Sequence, residues 1–264
     1  MLLAVDVGNS NLKFGLFAET QLREQWRIRT QIGRTADEYA IQIGALLARS
    51  GLNFDHIDGC VIASVVPRTV PDIVRFAEGF LKATTLVVSS RVNTGIEILY
   101  DRESDVGADR LVDSVAAADR YGTPCIVVDF GTATTFNALG PTTRAGCAAS
   151  YLGGAICPGI GISLDALYQN AAKLSAVEVA APPAAIGRNT VHALQSGIVF
   201  GFVSQVDGLI SRFRKELGAP ECRVVATGGH LSMPIIENST MITDVDHALT
   251  LTGLRLVYER NIPR

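Results

Sequence analysis

Short apolar runs alternate with longer stretches of helical spacing along the whole chain, a pattern that predicts an α/β protein. Leu2–Val7 reads as a strand, the turn Gly8-Asn9-Ser10-Asn11 follows it, and a second alternating run covers residues 12–17. Residues 36–50 carry Ala40, Ile43, Leu46 and Leu47 at the spacing of one helical face. A buried strand is predicted over 58–65, around Cys60, Val61, Ile62 and Ala63. Pro67 to Pro71 restarts the chain into a helix through Leu81, and 86–88 reads as a further strand. The polar stretch 100–109 then opens a helix over 110–121.

After Pro124 the pattern begins again. Cys125–Phe130 predicts a strand, Gly131-Thr132-Ala133 a turn, and residues 134–139 a second alternating run. Residues 151–162 are Gly-rich, 163–172 read as a helix, and the Ala/Pro stretch 180–185 as a flexible connector. Thr190–Leu217 predicts a long helix, Arg223–Thr227 a strand, and residues 238–260 end in an apolar helix. The two halves open alike: Asp6-Val7-Gly8-Asn9-Ser10-Asn11 is echoed by Asp129-Phe130-Gly131-Thr132-Ala133-Thr134, at an offset of nearly half the 264 residues. A duplicated half-domain explains this economically, with the expected halves at 1–118 and 119–264. Two facing halves would create a cleft, where ligand sites prefer to sit.

Composition narrows the classes. With 48% hydrophobic and 19% charged residues the chain is globular rather than disordered. No 18-residue stretch is free of charges and turn residues, so no membrane span is expected. Met1-Leu2-Leu3-Ala4-Val5-Asp6 lacks the basic start of a signal peptide, which points to the cytoplasm. The 23 basic residues are scattered among 26 acidic ones and the net charge is −3, so no nucleic-acid footprint is advertised. Five cysteines at irregular spacings make neither a disulfide framework nor a zinc site. Cys60 and Cys125 lie in apolar runs and are expected to be buried and inert, and the four isolated histidines to be surface or packing residues.

Candidate chemistry gathers at three strand ends. In the first turn Asp6 stands beside backbone N–H groups that a tight turn exposes, and Gly8 lets a phosphate approach without a Cβ in the way. Asp6 can hold Mg²⁺, which binds through one or two carboxylates beside substrate phosphates. Lys13 is placed to reach a phosphate as a point charge. A hairpin turn with solvated ends would use the same residues. The second turn adds hydroxyls at Thr132, Thr134 and Thr135 to a strand-end carboxylate, Asp129, which needs a cation or donors if buried. A third strand runs into Thr227-Gly228-Gly229, where glycines let an adenine or ribose lie against the backbone. There is neither a Walker loop nor a Gly-x-Gly-x-x-Gly fingerprint.

In that order the three signals resemble the phosphate 1, phosphate 2 and adenosine motifs of the actin, hexokinase and Hsp70 ATPase superfamily. With Gly107-Ala108-Asp109-Arg110, the Gly153–Gly159 segment, Gly187-Arg188-Asn189-Thr190 and Gln195-Ser196-Gly197, the chain resembles type III pantothenate kinase over nearly its whole length. The resemblance implies two ribonuclease-H-like α/β halves facing across a nucleotide cleft. The implied activity is transfer of the γ-phosphoryl group of ATP to pantothenate, the first step of coenzyme A synthesis. It implies a homodimer, a divalent cation, and a monovalent one, potassium or ammonium.

Residue by residue, Asp109 would accept the proton. Asp6, Val7, Gly8, Asn9, Ser10, Asn11, Leu12, Lys13 and Thr132 would hold ATP, with Mg²⁺ at Asp6 and the monovalent cation at Asp129. Tyr100, Gly107, Ala108, Asp109, Arg110 and Thr190 would hold pantothenate, in a site that the partner subunit shapes. Asp109-Arg110 alone would equally suit an ordinary helix start, where an acid complements the helix dipole. Ser10 stands where the family usually has Thr, Asn137 where an acid often follows, and 144–150 is less polar than usual. Competing readings are a same-fold kinase for another small alcohol and a non-catalytic, nucleotide-dependent transcription accessory factor.

Overall fold

The computed structural model describes residues 1–89, 91–171, 173–229 and 233–262. The chain divides into two compact units. Met1–Ile96, Tyr100–Ala116 and the residues from Ala248 onward form the first; Glu97–Leu99 and Ala117–His247 form the second. The expected boundary at 118/119 thus lies two residues beyond the crossing between units. The C-terminal segment, which the duplicated-half reading placed in the second half, packs in the first.

The first unit opens with β1 (Leu2–Val7), β2 (Asn11–Ala18) and β3 (Gln21–Arg29), followed by α1 (Ala36–Arg49), β4 (Gly59–Ser64), α2 (Val70–Phe76) and β5 (Thr84–Val87). The strands form one sheet in the order β3-β2-β1-β4-β5, antiparallel among the first three and parallel from β1 to β5. All six residues of β1 are buried, as befits a central strand covered on both faces. Leu3, Val5 and Val7 face a core shared with Tyr39, Ile43 and Leu47 of α1 and with Ile73 and Phe76 of α2. Thr35 and Glu38 cap the start of α1 reciprocally, the side chain of each accepting the other's backbone N–H. The helix expected over 67–81 is broken into a 3₁₀ turn, α2 and a wide turn at Ala77–Leu81 that ends on Lys82 at φ 53°.

Next come β6 (Ile96–Ile98) and α3 (Ala108–Tyr121), then β7 (Cys125–Phe130), β8 (Ala133–Gly140), β9 (Ala149–Pro158), α4 (Ile160–Asn170), α5 (Thr190–Leu217), β10 (Arg223–Thr227), α6 (Met233–Asn238) and β11 (Asp244–Val245). The second sheet runs β11-β10-β7-β8-β9-β6. Apart from β6 it repeats the first sheet strand for strand: three antiparallel neighbours, then two parallel ones. The duplication inferred from two turns therefore extends to topology, and each unit is a ribonuclease-H-like α/β layer. By length and composition α5 is apolar enough to cross a membrane, which the charge criterion applied to the sequence did not flag.

The last helix, α7 (Leu249–Asn261), packs on β1, β2 and β4 of the first sheet. Leu249, Leu251, Leu254 and Val257 are buried there, and Leu251 fits against Gly15 of β2. Cys60 and Cys125 are fully buried, and desolvation pushes both thiols up to about 12.

Candidate active site

In the first unit the tight turn between β1 and β2 sets a carboxylate opposite an ammonium. Asp6 and Lys13 are register partners across the hairpin, and Lys13 Nζ lies 3.7 Å from Asp6 Oδ2. Asp6 is only 8% exposed. Burial pushes its carboxyl up to about 6; Lys13 pulls it down, and the charge of Asp109 pushes it up again. Within the turn, Gly8 N donates to Asn11 O at 3.0 Å. From the end of β3, Thr30 Oγ1 donates to Gly8 O at 2.7 Å, and Thr30 N donates to Ser10 O at 3.0 Å. Thr30 was not among the expected site residues, because it lies 22 positions from Gly8 and belongs to no motif.

The second carboxylate comes from the start of α3. Leu111 N donates to Gly107 O, so the first helical bond begins at Gly107. Asp109 in the first turn accepts from Arg110 N at 2.8 Å through Oδ1. A Cβ at position 107 would press on that same Oδ1, so glycine leaves Asp109 its place. Burial raises the Asp109 carboxyl above the usual range, against the pull of its backbone hydrogen bonds, Arg110 and Lys13. Asp109 thus sits in the first turn of the helix, as the helix-start reading expects, and its charge also reaches Asp6. Arg110 is buried, Ala108 and Gly107 are half-buried, and Tyr100 is exposed. Val7 and Leu12 are core residues on either side of the turn, and Asn9 and Ser10 are exposed at its tip.

In the second unit Asp129 is half-buried at the end of β7, and Thr132 is half-buried in the turn beyond it. Gly131 N donates to Ala133 O, and Gly159 N, at the start of α4, donates to Thr132 O. Gly228 closes this corner at φ 117°; a Cβ there would collide with Asp129 Oδ1 and Phe130 O. Opposite Asp129 in register stands Thr135, 8% exposed, whose buried hydroxyl has no partner. Thr227 is buried. Thr190 is exposed at the first position of α5, after the Asn189 cap, which accepts from His192 N at 2.8 Å. A cavity of about 590 Å³, lined by Ile186, Arg188 and His192 among others, adjoins it.

These features align with one known family along most of the chain. The family model of type III pantothenate kinase matches residues 2–212. The chain belongs to the type III pantothenate kinase family. The family member from Myxococcus xanthus (strain DK1622) is 46% identical over 261 residues, 99% of each chain. The one from Geobacillus sp. (strain WCH70) is 44% identical over 264 residues, covering 100% of this chain and 99% of its own. Among solved structures, a Campylobacter jejuni protein assigned to the Baf family of transcriptional activators superposes with a TM-score of 0.60 at 17% identity, over 98% of each chain. Component A of Acidaminococcus fermentans (R)-2-hydroxyglutaryl-CoA dehydratase superposes with a TM-score of 0.54 at 15% identity, over 97% of this chain and 95% of that one. At such identities these structures establish the fold alone, the actin-like ATPase architecture.

For a pantothenate kinase the donor chemistry fits the expected ions. Among the described residues no group of three or more His, Cys, Asp or Glu gathers as a metal site. Mg²⁺ needs no such group, since it binds through one or two carboxylates and keeps its waters. Asp6 supplies a hard carboxylate oxygen, and the repulsion between its charge and that of Asp109 is one that a nearby divalent charge would relieve. At the other turn, the Asp129 carboxylate and the unpartnered Thr135 hydroxyl are an all-oxygen set suited to a monovalent cation.

Proposed function

We propose that this kinase transfers the γ-phosphoryl group of ATP to the primary hydroxyl of pantothenate, giving 4′-phosphopantothenate and ADP, the first step of coenzyme A synthesis. The observation that carries the reading is the meeting of Asp6, Lys13 and Asp109 at one end of the first sheet. In-line transfer asks the protein to position two reactants and to stabilise charge, with little covalent chemistry of its own. Asp109 orients the attacking hydroxyl and takes its proton as the new O–P bond forms and the bond to the β-phosphate oxygen breaks. A carboxyl held above the usual range by burial suits that exchange. Lys13 and the N–H groups of the turn beyond Gly8 meet the negative oxygens of the triphosphate.

Asp6 would hold Mg²⁺, which would neutralise charge on the phosphates, and Asp129 would hold a potassium or ammonium ion, which would add positive charge beside the turn that carries Thr132. Tyr100, Gly107, Ala108 and Arg110 hold pantothenate, Arg110 through a planar guanidinium matched to a carboxylate. Thr190 joins the site in a homodimer. The apolar composition of α5 and the exposure of Val191 beside Thr190 support a subunit interface along this helix.

The test is ADP release with and without pantothenate, at varied potassium. Release that depends on pantothenate and rises with potassium is the expected result. Release driven by a sugar or another alcohol, and indifferent to pantothenate, would assign the chain a different acceptor.

A further inference from the structure

A turn binds phosphate only if its N–H groups, rather than its carbonyls, face the anion. Each trans peptide sends its C=O and N–H in opposite directions, so holding one fixes the other. At the first turn two of the carbonyls are held from the same side by one residue. Thr30 Oγ1 donates to Gly8 O at 2.7 Å and Thr30 N donates to Ser10 O at 3.0 Å. The first bond turns the Gly8–Asn9 peptide so that its carbonyl points to Thr30 and the Asn9 N–H points away from it. On the other strand of the turn, Gly8 N is already engaged with Asn11 O. The Gly8 carbonyl is held by the hydroxyl of Thr30, which is half-buried just beyond the end of β3.

We propose that Thr30 is a positioning residue for the triphosphate: its hydroxyl fixes the Gly8–Asn9 peptide with the amide N–H presented to the anion. The inference rests on reading the Gly8–Asn11 turn as the phosphate turn. A bulky apolar residue at position 30 could still pair its backbone N–H with Ser10 O, but would leave the Gly8 carbonyl free to rotate toward the phosphate. The resulting repulsion falls on the nucleotide and spares the acceptor alcohol.

The experiment compares Thr30→Val, Thr30→Ser and Gly8→Ala in the full-length enzyme. Steady-state KM for MgATP and for pantothenate and direct binding of the nonhydrolysable analogue AMPPNP with Mg²⁺ are measured, with melting temperature alongside. Thr30→Val is nearly isosteric and is expected to raise the KM for MgATP and the Kd for AMPPNP by about tenfold, the scale of one buried hydrogen bond. The KM for pantothenate is expected to stay within about twofold, and Thr30→Ser to restore nucleotide affinity. A Thr30→Val enzyme with wild-type nucleotide affinity would overturn the proposal, as would a loss that Thr30→Ser fails to restore or one shared equally by both substrates. Gly8→Ala separates the two levels, because it places a Cβ on the turn itself, on the surface a phosphate would approach and 3.1 Å from Asn11 O. Unchanged AMPPNP binding in Gly8→Ala would remove the phosphate-turn reading; weakened binding there with intact binding in Thr30→Val would remove only the role of Thr30.

Discussion

Lys13 Nζ sits 3.7 Å from Asp6 Oδ2, the two side chains facing each other across the first hairpin with only 16% and 12% of their surface exposed. At that burial neither charge is screened as a surface pair would be, and the ammonium favours the ionised form of Asp6. Asp109 feels the same ammonium.

Replacing Lys13 with Met removes the cation from between two carboxylates. Turnover at limiting MgATP should fall by about 10- to 100-fold, the range for losing a charged hydrogen-bonding group. Initial rates against MgATP concentration measure this. The acid side of the pH–rate profile should move upward, because both carboxyls lose a partner that favours their ionised form.

Asp6 makes the metal-free protein less stable as pH rises. Its folded value of about 6 lies above the ordinary 3.8, so the native state holds the proton more tightly than the unfolded chain. Stability is therefore greatest below about pH 4 as far as this group is concerned, and declines through pH 6 by about 3 kcal/mol. Urea melts in EDTA should show that slope for the native sequence and lose it for Asp6→Asn. An unchanged slope in Asp6→Asn would assign the pH dependence elsewhere.

Asp109→Asn keeps the shape of the side chain and removes the base. Pantothenate-dependent turnover should drop by about 10²- to 10⁴-fold, the usual worth of a positioned general base. Nucleotide binding, followed by calorimetry, should persist. In the unsubstituted enzyme the rate should fall as pH drops through the raised Asp109 value, since only the ionised carboxylate accepts a proton.

Asp129→Asn should flatten the response of the rate to added potassium while leaving the melting temperature nearly unchanged. Gly228→Ala should behave differently. It forces a non-glycine residue to φ 117° and drives a Cβ into Asp129 Oδ1 and Phe130 O. Strain of about 1–3 kcal/mol or more should appear as a lower melting temperature together with the same loss of potassium response.

The sequence carried the central strands and the motifs at their ends, because those strands are buried on both faces and read as continuous apolar runs. β3 escaped notice for the opposite reason. It is an edge strand whose inward positions Leu22, Trp26 and Ile28 are interrupted by Glu24 and flanked by arginines. In β9, the Gly-rich stretch that begins at Tyr151 carries no strand pattern, yet Gly153 and Gly154 both pair with β8, and Gly153 at φ 118° lies next to the register shift at Ala138/Leu139. α6 was missed because six residues are too few to show a helical period. Asp6, Asp109 and Asp129 were legible as carboxylates at motif positions. The contribution of Thr30 was not, since only the folded hairpin brings it to Gly8.

The placement of α7 governs the order in which the protein can be built. β1 is made well before α7, yet the face it shares with β2 and β4 is sealed by Leu251, Leu254 and Val257 of that helix. The whole β7–β11 layer must therefore be synthesised before the β1–β5 sheet is covered, whereas that later layer is almost contiguous in sequence and can mature as it is made. Until then the nascent β1, β2 and β4 keep an apolar surface in water, which gives this sheet more to gain from a chaperone than the β7–β11 layer.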